Sequence, residues 1–240
     1  MALEYGACGK WKNVALLVID MQKDFISGPV KVEGGQDIVP NVIKAVEVAR
    51  NCGIHIVWVV REHDPLGRDV ELFRRHFYAD NKTKVASKGS VGAELVDGLV
   101  ITEDDYKLVK TRFSAFLNTH LHSYLQTNGI TDLVITGVQT PNCIRQTVFD
   151  AVSLDYKHVS VITDATAAAT PDVHNELTKS GIANQQKLVL DDHKNQQESG
   201  FGQEPSYSGS HNSITRLKRV PRSTEKSSCW QSQQKHFHGP

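Results

Sequence analysis

The sequence predicts an α/β domain over residues 1–183, in which helices cover both faces of a mostly parallel β-sheet. Four runs are almost continuously apolar, as is typical of strands buried on both faces. They comprise residues 14–19, 54–60, 132–138 and 159–164. Helical patterns separate the runs, and strands that alternate with helices form parallel sheets through right-handed crossovers. These two observations predict a three-layer αβα architecture.

The elements between the apolar runs are predicted from residue spacing. Apolar residues recur at helical intervals from 38 to 49, from 116 to 126 and from 144 to 152. Residues 106–110 predict a further short strand. Residues 61–105 contain two loops and show little periodicity, so no regular element is predicted for most of them.

Composition excludes several function classes. The 27 basic and 27 acidic residues cancel, so bulk electrostatics favour neither a nucleic acid nor a membrane surface as a partner. No apolar run reaches the roughly 18 residues of a transmembrane helix, and the residues before Val14 lack the pattern of a targeting peptide. The four cysteines have no paired spacing. We therefore expect a cytoplasmic protein with reduced thiols.

Residues 184–240 differ in composition from the rest of the chain. Only about a fifth of them are apolar, and Gln, Ser and His dominate. Such a segment buries too little apolar surface to offset the entropy of ordering, so it is predicted to be a disordered tail. Its basic cluster indicates a localisation signal, a patch for an anionic partner or, more simply, a solvated surface. This cluster comprises Arg216, Lys218, Arg219 and Arg222.

Polar side chains that follow the strands mark the expected site, because parallel sheets bind ligands beyond the carboxyl ends of their strands. Cys143 follows the run 132–138, with Thr140 placed as a helix cap and Pro141 at the first helical position. The N–H groups and dipole of a first helical turn favour a nucleophilic thiolate and can hold an oxyanion. A buried structural cysteine is the alternative.

Asp20 and Lys110 are the partners that the other strand ends offer to Cys143. Asp20 ends the first strand, where a carboxylate can act as a general base. Lys110 ends the short strand, where its charge can hold Asp20 ionised and favour a thiolate. No histidine follows a strand at a comparable depth, and His55 lies within the second strand. A helix-capping Asp and a surface Lys are the alternatives.

Four segments resemble the motifs of the isochorismatase-like cysteine hydrolases and occur in the order of that family. They are residues 18–25, 109–116, 137–144 and 161–168. The likeness covers roughly residues 12–175 and is greatest to the plant branch of nicotinamidase-like or ureidoacrylate-amidohydrolase-like proteins. The resemblance implies an isochorismatase-like fold and a catalytic triad of Asp20, Lys110 and Cys143.

The resemblance also implies a mechanism. Cys143 would attack a carbonyl carbon, Asp20 would take the thiol proton and return it to the leaving group, and water would resolve the covalent intermediate. Lys110 would orient the pair by its charge. A cis peptide bond is expected between Val138 and Gln139, and the N–H groups of Gln139 and Cys143 would form the oxyanion hole.

Several members of the family are nicotinamidases that hold a metal through an Asp and two His near an Asp-x-His-Pro motif. Aligned on the proline of that motif, this chain has Glu62 and Asp64 in place of the Asp and the first His, and Arg68 in place of the second His. We therefore expect no metal and no other cofactor. A metal site built from Glu62, His63 and His76 is the alternative.

The substrate pocket is predicted to be rich in cationic and amide groups. Arginine binds carboxylates through paired hydrogen bonds, so the expected partner is a small acid that carries an amide, ureido or carbamoyl group. Trp58 suits the core better than the pocket. The predicted substrate-binding residues are Phe25, as an apolar wall, Arg61, Arg112 and Asn142, with Gln139 nearby and Arg145 as a weaker candidate.

The C-terminal part departs from the family after His174. The family continues with a helix and a last strand, whereas here the final strand is missing or altered, with residues 181–183 as its candidate remnant. An exposed sheet edge can pair with another chain, so a homo-oligomer is one outcome. The hydrolase hypothesis has two alternatives: a catalytically impaired binding or regulatory protein, and a nicotinamidase or isochorismatase.

Overall fold

The computed structural model describes residues 11–79 and 82–178, which form one sheet of five strands. The strands are β1 (Val14–Ile19), β2 (His55–Arg61), β3 (Tyr106–Lys110), β4 (Asp132–Val138) and β5 (His158–Ala167). Their order is β3-β2-β1-β4-β5, and every neighbouring pair is parallel. The four long apolar runs and the short run at 106–110 are therefore confirmed as strands.

Helices connect the strands and lie on both faces of the sheet, as predicted. They are α1 (Lys23–Ile26), α2 (Val39–Asn51), α3 (Leu121–Thr127), α4 (Arg145–Ser153) and α5 (Pro171–Leu177). Helix α3 begins later than predicted, because side-chain hydrogen bonds compete with helical ones before it. Ser114 Oγ accepts from the N–H of Phe116 (3.1 Å), and Thr119 Oγ1 donates to the carbonyl of Ala115 (2.6 Å).

Each face of the sheet has its own apolar core, because side chains alternate between the two faces along a strand. Leu17 and Ile19 pack with residues of α3 and α4 in the first core. Leu16 and Val18 pack with residues of α2 in the second core. Trp58 is fully buried in the second core, as expected for a packing residue.

A long connection between β2 and β3, residues 62–105, is called the excursion below. It carries two 3₁₀ helices, at Leu72–Tyr78 and Val91–Ala93. Gln22 joins the excursion to the sheet, since its amide nitrogen donates to the carbonyls of Arg61 (2.7 Å) and Ala93 (2.8 Å). This bridge holds part of the excursion against the ends of β1 and β2, where the site was predicted.

Several predictions lie outside the described residues. They are the disordered tail at 184–240 with its basic cluster, the boundary at 183/184, and the strand remnant at 181–183. These stay predictions. Within the part of the chain that the structure describes, no helix combines the length and apolarity that crossing a membrane requires.

Candidate active site

Four strands bring side chains to one end of the sheet. Asp20 follows β1, Arg61 ends β2, Lys110 ends β3 and Cys143 lies just beyond β4. Arg61 and Lys110 are register partners in the parallel ladder. Asp20, Arg61 and Lys110 are each 1% exposed and Cys143 is 5% exposed, so three charged groups and a thiol share a buried site.

Lys110 lies between Asp20 and Cys143. Its Nζ donates to Asp20 Oδ2 at 2.7 Å and lies 3.4 Å from Cys143 Sγ. The other carboxylate oxygen, Asp20 Oδ1, is buried and has no hydrogen-bond partner among the described residues. Oδ2 therefore holds the ammonium group, while Oδ1 is the atom available to accept a proton. The structure brings together the three residues that the sequence predicted as a triad.

Arg61 adds a second cation beside the sulfur. Its Nη2 donates to Cys143 Sγ (3.6 Å) and to the carbonyl of Arg112 (2.9 Å), and its Nη1 donates to Glu71 Oε1 (3.2 Å). Burial lowers the pKa of Arg61, but the surrounding negative charges, first among them that of Cys143, outweigh burial and raise the pKa above its usual value. Cations in contact with a sulfur stabilise its thiolate form.

The backbones of β1 and β4 approach closely next to the site. Gly137 has a φ of 113°, and a Cβ at this position would lie 2.0 Å from the carbonyl oxygen of Ile19. Only glycine permits this approach. Asp20 has a φ of 52°, which is unfavourable for a residue with a side chain, and its N–H is held by the carbonyl of Val59 at 2.8 Å.

The loop after β4 differs in detail from the predicted helix start. The peptide bond between Val138 and Gln139 is cis, as the resemblance implied. Residues Thr140–Ile144 form a π-helical turn that precedes α4, with Gln139 at its cap position. The prediction of Thr140 as the cap is therefore wrong. Its buried hydroxyl bonds instead with His174 Nδ1 of α5 (2.9 Å).

The four predicted substrate-binding residues occupy different surroundings. Arg61 lies in the site but is bonded to protein groups on both of its terminal nitrogens. Arg112 directs Nη1 to the carbonyl of Asp69 (2.7 Å), while its own carbonyl accepts from Lys110 and Arg61. Asn142 Nδ2 lies 3.4 Å from the side-chain oxygen of its loop neighbour at 139. Phe25 packs against the second core, on the opposite face from the core that contains the nucleophile.

The residues considered for a metal site do not come together. Glu62 pairs with a lysine of β3, and the His76 ring contacts the neighbouring phenylalanine ring in a tilted arrangement. His63 lies between Arg61 Nη1 (3.4 Å) and Asp69 Oδ1 (3.2 Å), and burial together with the Arg61 charge lowers its pKa to about 4. Among residues 11–79 and 82–178, no group of three or more His, Cys, Asp or Glu side chains could hold a metal. The donor set of the nicotinamidases is therefore not found among these described residues.

Two charged residues of the excursion join the site without having been predicted. Glu71 Oε1 pairs with Arg61 Nη1, and Arg74 Nη1 lies 3.8 Å from Glu71 Oε2. The guanidinium carbon of Arg74 lies 4.9 Å from the centre of the Phe113 ring. Because the excursion has no apolar periodicity, no pattern in the sequence relates these residues to the strand ends.

Comparisons with known proteins find relatives for most of the chain. The family described as isochorismatase domain matches residues 14–187. A protein of Arabidopsis thaliana named a probable inactive nicotinamidase is 70% identical over 168 residues, which cover 69% of this chain and 86% of the relative. A ureidoacrylate amidohydrolase of Enterobacter sp. (strain 638) is 34% identical over 182 residues, which cover 67% of this chain and 78% of the relative.

A solved structure supports the same relationship. An isochorismatase family protein from Desulfovibrio vulgaris matches with a TM-score of 0.69 at 39% identity, over 76% of this chain and 98% of that one. The predicted isochorismatase-like fold is therefore confirmed.

Proposed function

Because this chain belongs to the isochorismatase family, we propose that it hydrolyses a C–N bond of a small amide, ureido or carbamoyl acid, without a metal and through a covalent intermediate on Cys143. The observation that carries the proposal is the position of Lys110 Nζ, 2.7 Å from Asp20 Oδ2 and 3.4 Å from Cys143 Sγ. A base, a cation and a thiol within these distances can perform nucleophilic catalysis.

The first half of the reaction transfers the acyl or carbamoyl group to sulfur. Asp20 Oδ1 takes the thiol proton, and Cys143 Sγ attacks the carbonyl carbon of the substrate. The N–H groups of Gln139 and Cys143 stabilise the negative oxygen of the tetrahedral intermediate. The C–N bond then breaks, and the leaving nitrogen takes the proton from Asp20.

The second half restores the enzyme with one molecule of water. Asp20 takes a proton from the water while the water oxygen attacks the carbonyl carbon of the acyl or carbamoyl group on sulfur. The C–S bond breaks, the acid product leaves, and the proton returns to the sulfur. Lys110 and Arg61 keep their charges throughout and stabilise the thiolate each time it forms.

The relatives support the substrate class as well as the chemistry. The Enterobacter relative is named for the hydrolysis of a ureido acid. The name of the Arabidopsis relative concerns nicotinamide alone. In this chain Asp64 and Arg68, at two of the metal-ligand positions, pair with each other. No group of three or more His, Cys, Asp or Glu side chains could hold a metal among the described residues, whereas Asp20, Lys110 and Cys143 are assembled. A protein of this family that is inactive towards nicotinamide can therefore still hydrolyse an acid substrate in a reaction that requires no metal.

A non-catalytic binding or regulatory protein is the second candidate. It is favoured by the name of the Arabidopsis relative, which describes that protein as probably inactive. Such a protein would bind a small acid in the same site and release it unchanged. The two candidate functions therefore predict the same ligand and differ only in whether that ligand is hydrolysed.

The test uses the purified full chain with a panel of ureidoacrylate, N-carbamoyl amino acids, nicotinamide and isochorismate. Product release is measured for the wild type, for Cys143→Ala and for the matched control Cys52→Ala. Cys52 is a second free cysteine of the described residues and lies at the end of α2, away from the strand ends.

We expect turnover of one of the amide or ureido acids, lost in Cys143→Ala and retained in Cys52→Ala. Binding of an acid without turnover would support the second candidate. Turnover that survives Cys143→Ala, or turnover of nicotinamide or isochorismate alone, would contradict the proposed function.

A further inference from the structure

Arg74 is a partly buried cation at the edge of the site whose side chain has no hydrogen-bond acceptor among the described residues. Its guanidinium carbon lies 4.9 Å from the centre of the Phe113 ring and 5.2 Å from that of Phe73, and its side chain is 23% exposed. Within the described part of the chain, its guanidinium donates no hydrogen bond. The nearest anionic atom is Glu71 Oε2 at 3.8 Å, which itself has no hydrogen-bond partner there.

Of the other arginines near the site, Arg61 and Arg112 are hydrogen-bonded to protein groups, and Arg145 is exposed. Arg61 uses both terminal nitrogens on a carboxylate, a carbonyl and the sulfur. Arg112 directs Nη1 to two backbone carbonyls, and Arg145 stacks on the Phe149 ring of its own helix at 4.8 Å. A guanidinium has five N–H donors, and leaving them without acceptors in a partly buried position is unfavourable.

The charges of the site are unbalanced in favour of the cations. Arg61, Lys110 and Arg74 face two carboxylates, Asp20 and Glu71, when the thiol is protonated. His63 adds no charge at neutral pH, because burial and Arg61 lower its pKa to about 4. Its partner Asp69 is more exposed, at 38%.

The excess positive charge acts on Arg74 itself. Burial, followed by the charge of Arg61, lowers the pKa of the Arg74 guanidinium, as expected for a cation short of negative partners. When the thiol is protonated, one bound anion would balance the charges of these five groups.

We propose that Arg74 binds the carboxylate of the substrate through paired hydrogen bonds, with Phe113 contacting the part that links this carboxylate to the scissile C–N bond. Arg61, which the sequence suggested for this role, instead holds Cys143 and Glu71. The inference rests on the proposed function and adds that an anionic group is required in the substrate.

The test compares an acid with its uncharged ester, using the ureido or carbamoyl acid that the panel identifies and its methyl ester. Binding is measured by calorimetry on full-length Cys143→Ala, which removes turnover, alone and combined with Arg74→Gln, Arg74→Lys or Arg75→Gln. Arg75 is the matched control, because it is the exposed neighbour in the same 3₁₀ helix. Circular dichroism checks the fold of every variant. Steady-state kinetics of the same Arg74 and Arg75 variants with Cys143 retained complete the set.

Arg74→Gln should weaken binding of the acid by about 10- to 100-fold, the range expected for lost hydrogen bonds to a charged group. It should raise KM with little change in kcat, and should leave the ester unaffected. The affinity of Arg74→Lys for the acid should lie between those of Arg74→Gln and of the Cys143→Ala parent. The affinity of Arg75→Gln should equal that of the parent. Equal losses for acid and ester, an equal loss in Arg75→Gln, or no binding of any acid would overturn the proposal.

These readouts separate the two proposals. Binding of an acid that depends on Arg74, without turnover in the wild type, would contradict the proposed hydrolase activity and support carboxylate binding by Arg74. Turnover with a KM that is independent of Arg74 would support the hydrolase activity and contradict carboxylate binding by Arg74.

Discussion

The end of the sheet and the excursion above it contribute differently to one site. Arg61 and Lys110 end strands whose positions are set by ladder hydrogen bonds, and Asp20 and Cys143 lie just beyond the ends of two other such strands. All four residues are almost wholly buried. Glu71 and Arg74 come from the excursion, where the adjoining 3₁₀ helix leaves Leu72 76% and Phe73 50% exposed. The groups proposed to react are thus held at the ends of strands, whereas Arg74, the group proposed to bind the substrate carboxylate, is held by a connection.

This difference predicts that the two regions respond differently to substitution. Changes at the end of the sheet should remove the reaction whatever the substrate, while changes in the excursion should alter substrate binding or the pH dependence of stability. Substrate preference can then vary in this fold without any change in the reacting groups, because connections tolerate substitution better than strands do.

The largest expected effect is that of Cys143→Ser. A hydroxyl beside a carboxylate is a much weaker nucleophile than a thiolate, so kcat/KM should fall by at least about 10⁴-fold. Product release measured against the Cys52→Ala control checks this. Activity within tenfold of the wild type would show that the sulfur does not react.

Asp20→Asn should be the next most damaging change. It removes the proposed base while keeping the volume of the side chain, so activity should fall by about 10² to 10⁴-fold. It also leaves Lys110 without its buried carboxylate, so thermal stability should decrease. Asp97→Asn is the control, since the Asp97 side chain is 94% exposed and its ion pair with Lys23 lies at the surface. Normal activity in a folded Asp20→Asn protein would rule out the assigned base.

Arg61→Met should slow the alkylation of Cys143 by iodoacetamide about tenfold near neutral pH, because the thiolate loses one of its two cationic contacts. The rate is measured by mass spectrometry relative to Cys52 in the same molecule. Arg68→Met, which removes an exposed arginine paired with Asp64, is the control. An unchanged ratio of the two rates would show that Arg61 does not stabilise the thiolate.

A smaller effect concerns the pH dependence of stability at His63. Its folded-state pKa is lowered from 6.5 to about 4, so between these values the unfolded chain binds more protons than the folded one. The contribution of the neutral imidazole is therefore complete above about pH 6.5 and is lost as pH falls towards 4. In urea unfolding, the free energy of unfolding of His63→Asn should decrease less over this pH range than that of the wild type. The same slope in both proteins, with His76→Asn as control, would contradict the buried neutral state.

The smallest expected effect is that of chelators. Because the candidate ligands are dispersed, exhaustive chelation should leave the activity towards an amide or ureido acid unchanged. Activity is measured before and after dialysis against a chelator, with metal content determined on the same samples. Activity that is lost on chelation and restored by one divalent metal would make Glu62, His63 and His76 ligand candidates again.

Much of the fold and the centre of the site follow from the sequence. The continuous apolar runs determine where β1, β2 and β4 lie, because these strands are buried on both faces along almost their whole length. The run in β5 also forms a strand, but residues 160, 163 and 164 are exposed, so two-sided burial is wrong for that strand. In a parallel sheet the carboxyl ends of strands lie at one edge, so Asp20, Lys110 and Cys143 were expected to meet there, and they do. The resemblance to a family added the cis peptide bond, which the structure contains.

The tertiary structure alone decided how the remaining charges are used. Whether Arg61 contacts the sulfur or a ligand, and whether Arg112 contributes its side chain or its carbonyl, depends on partners distant in sequence. Glu71 and Arg74 reach the site through the path of the excursion, which has no periodic pattern to predict it. Local periodicity determines strands and helices, whereas the position of an irregular connection is set by long-range contacts such as those of Gln22, and these exist only in the folded chain.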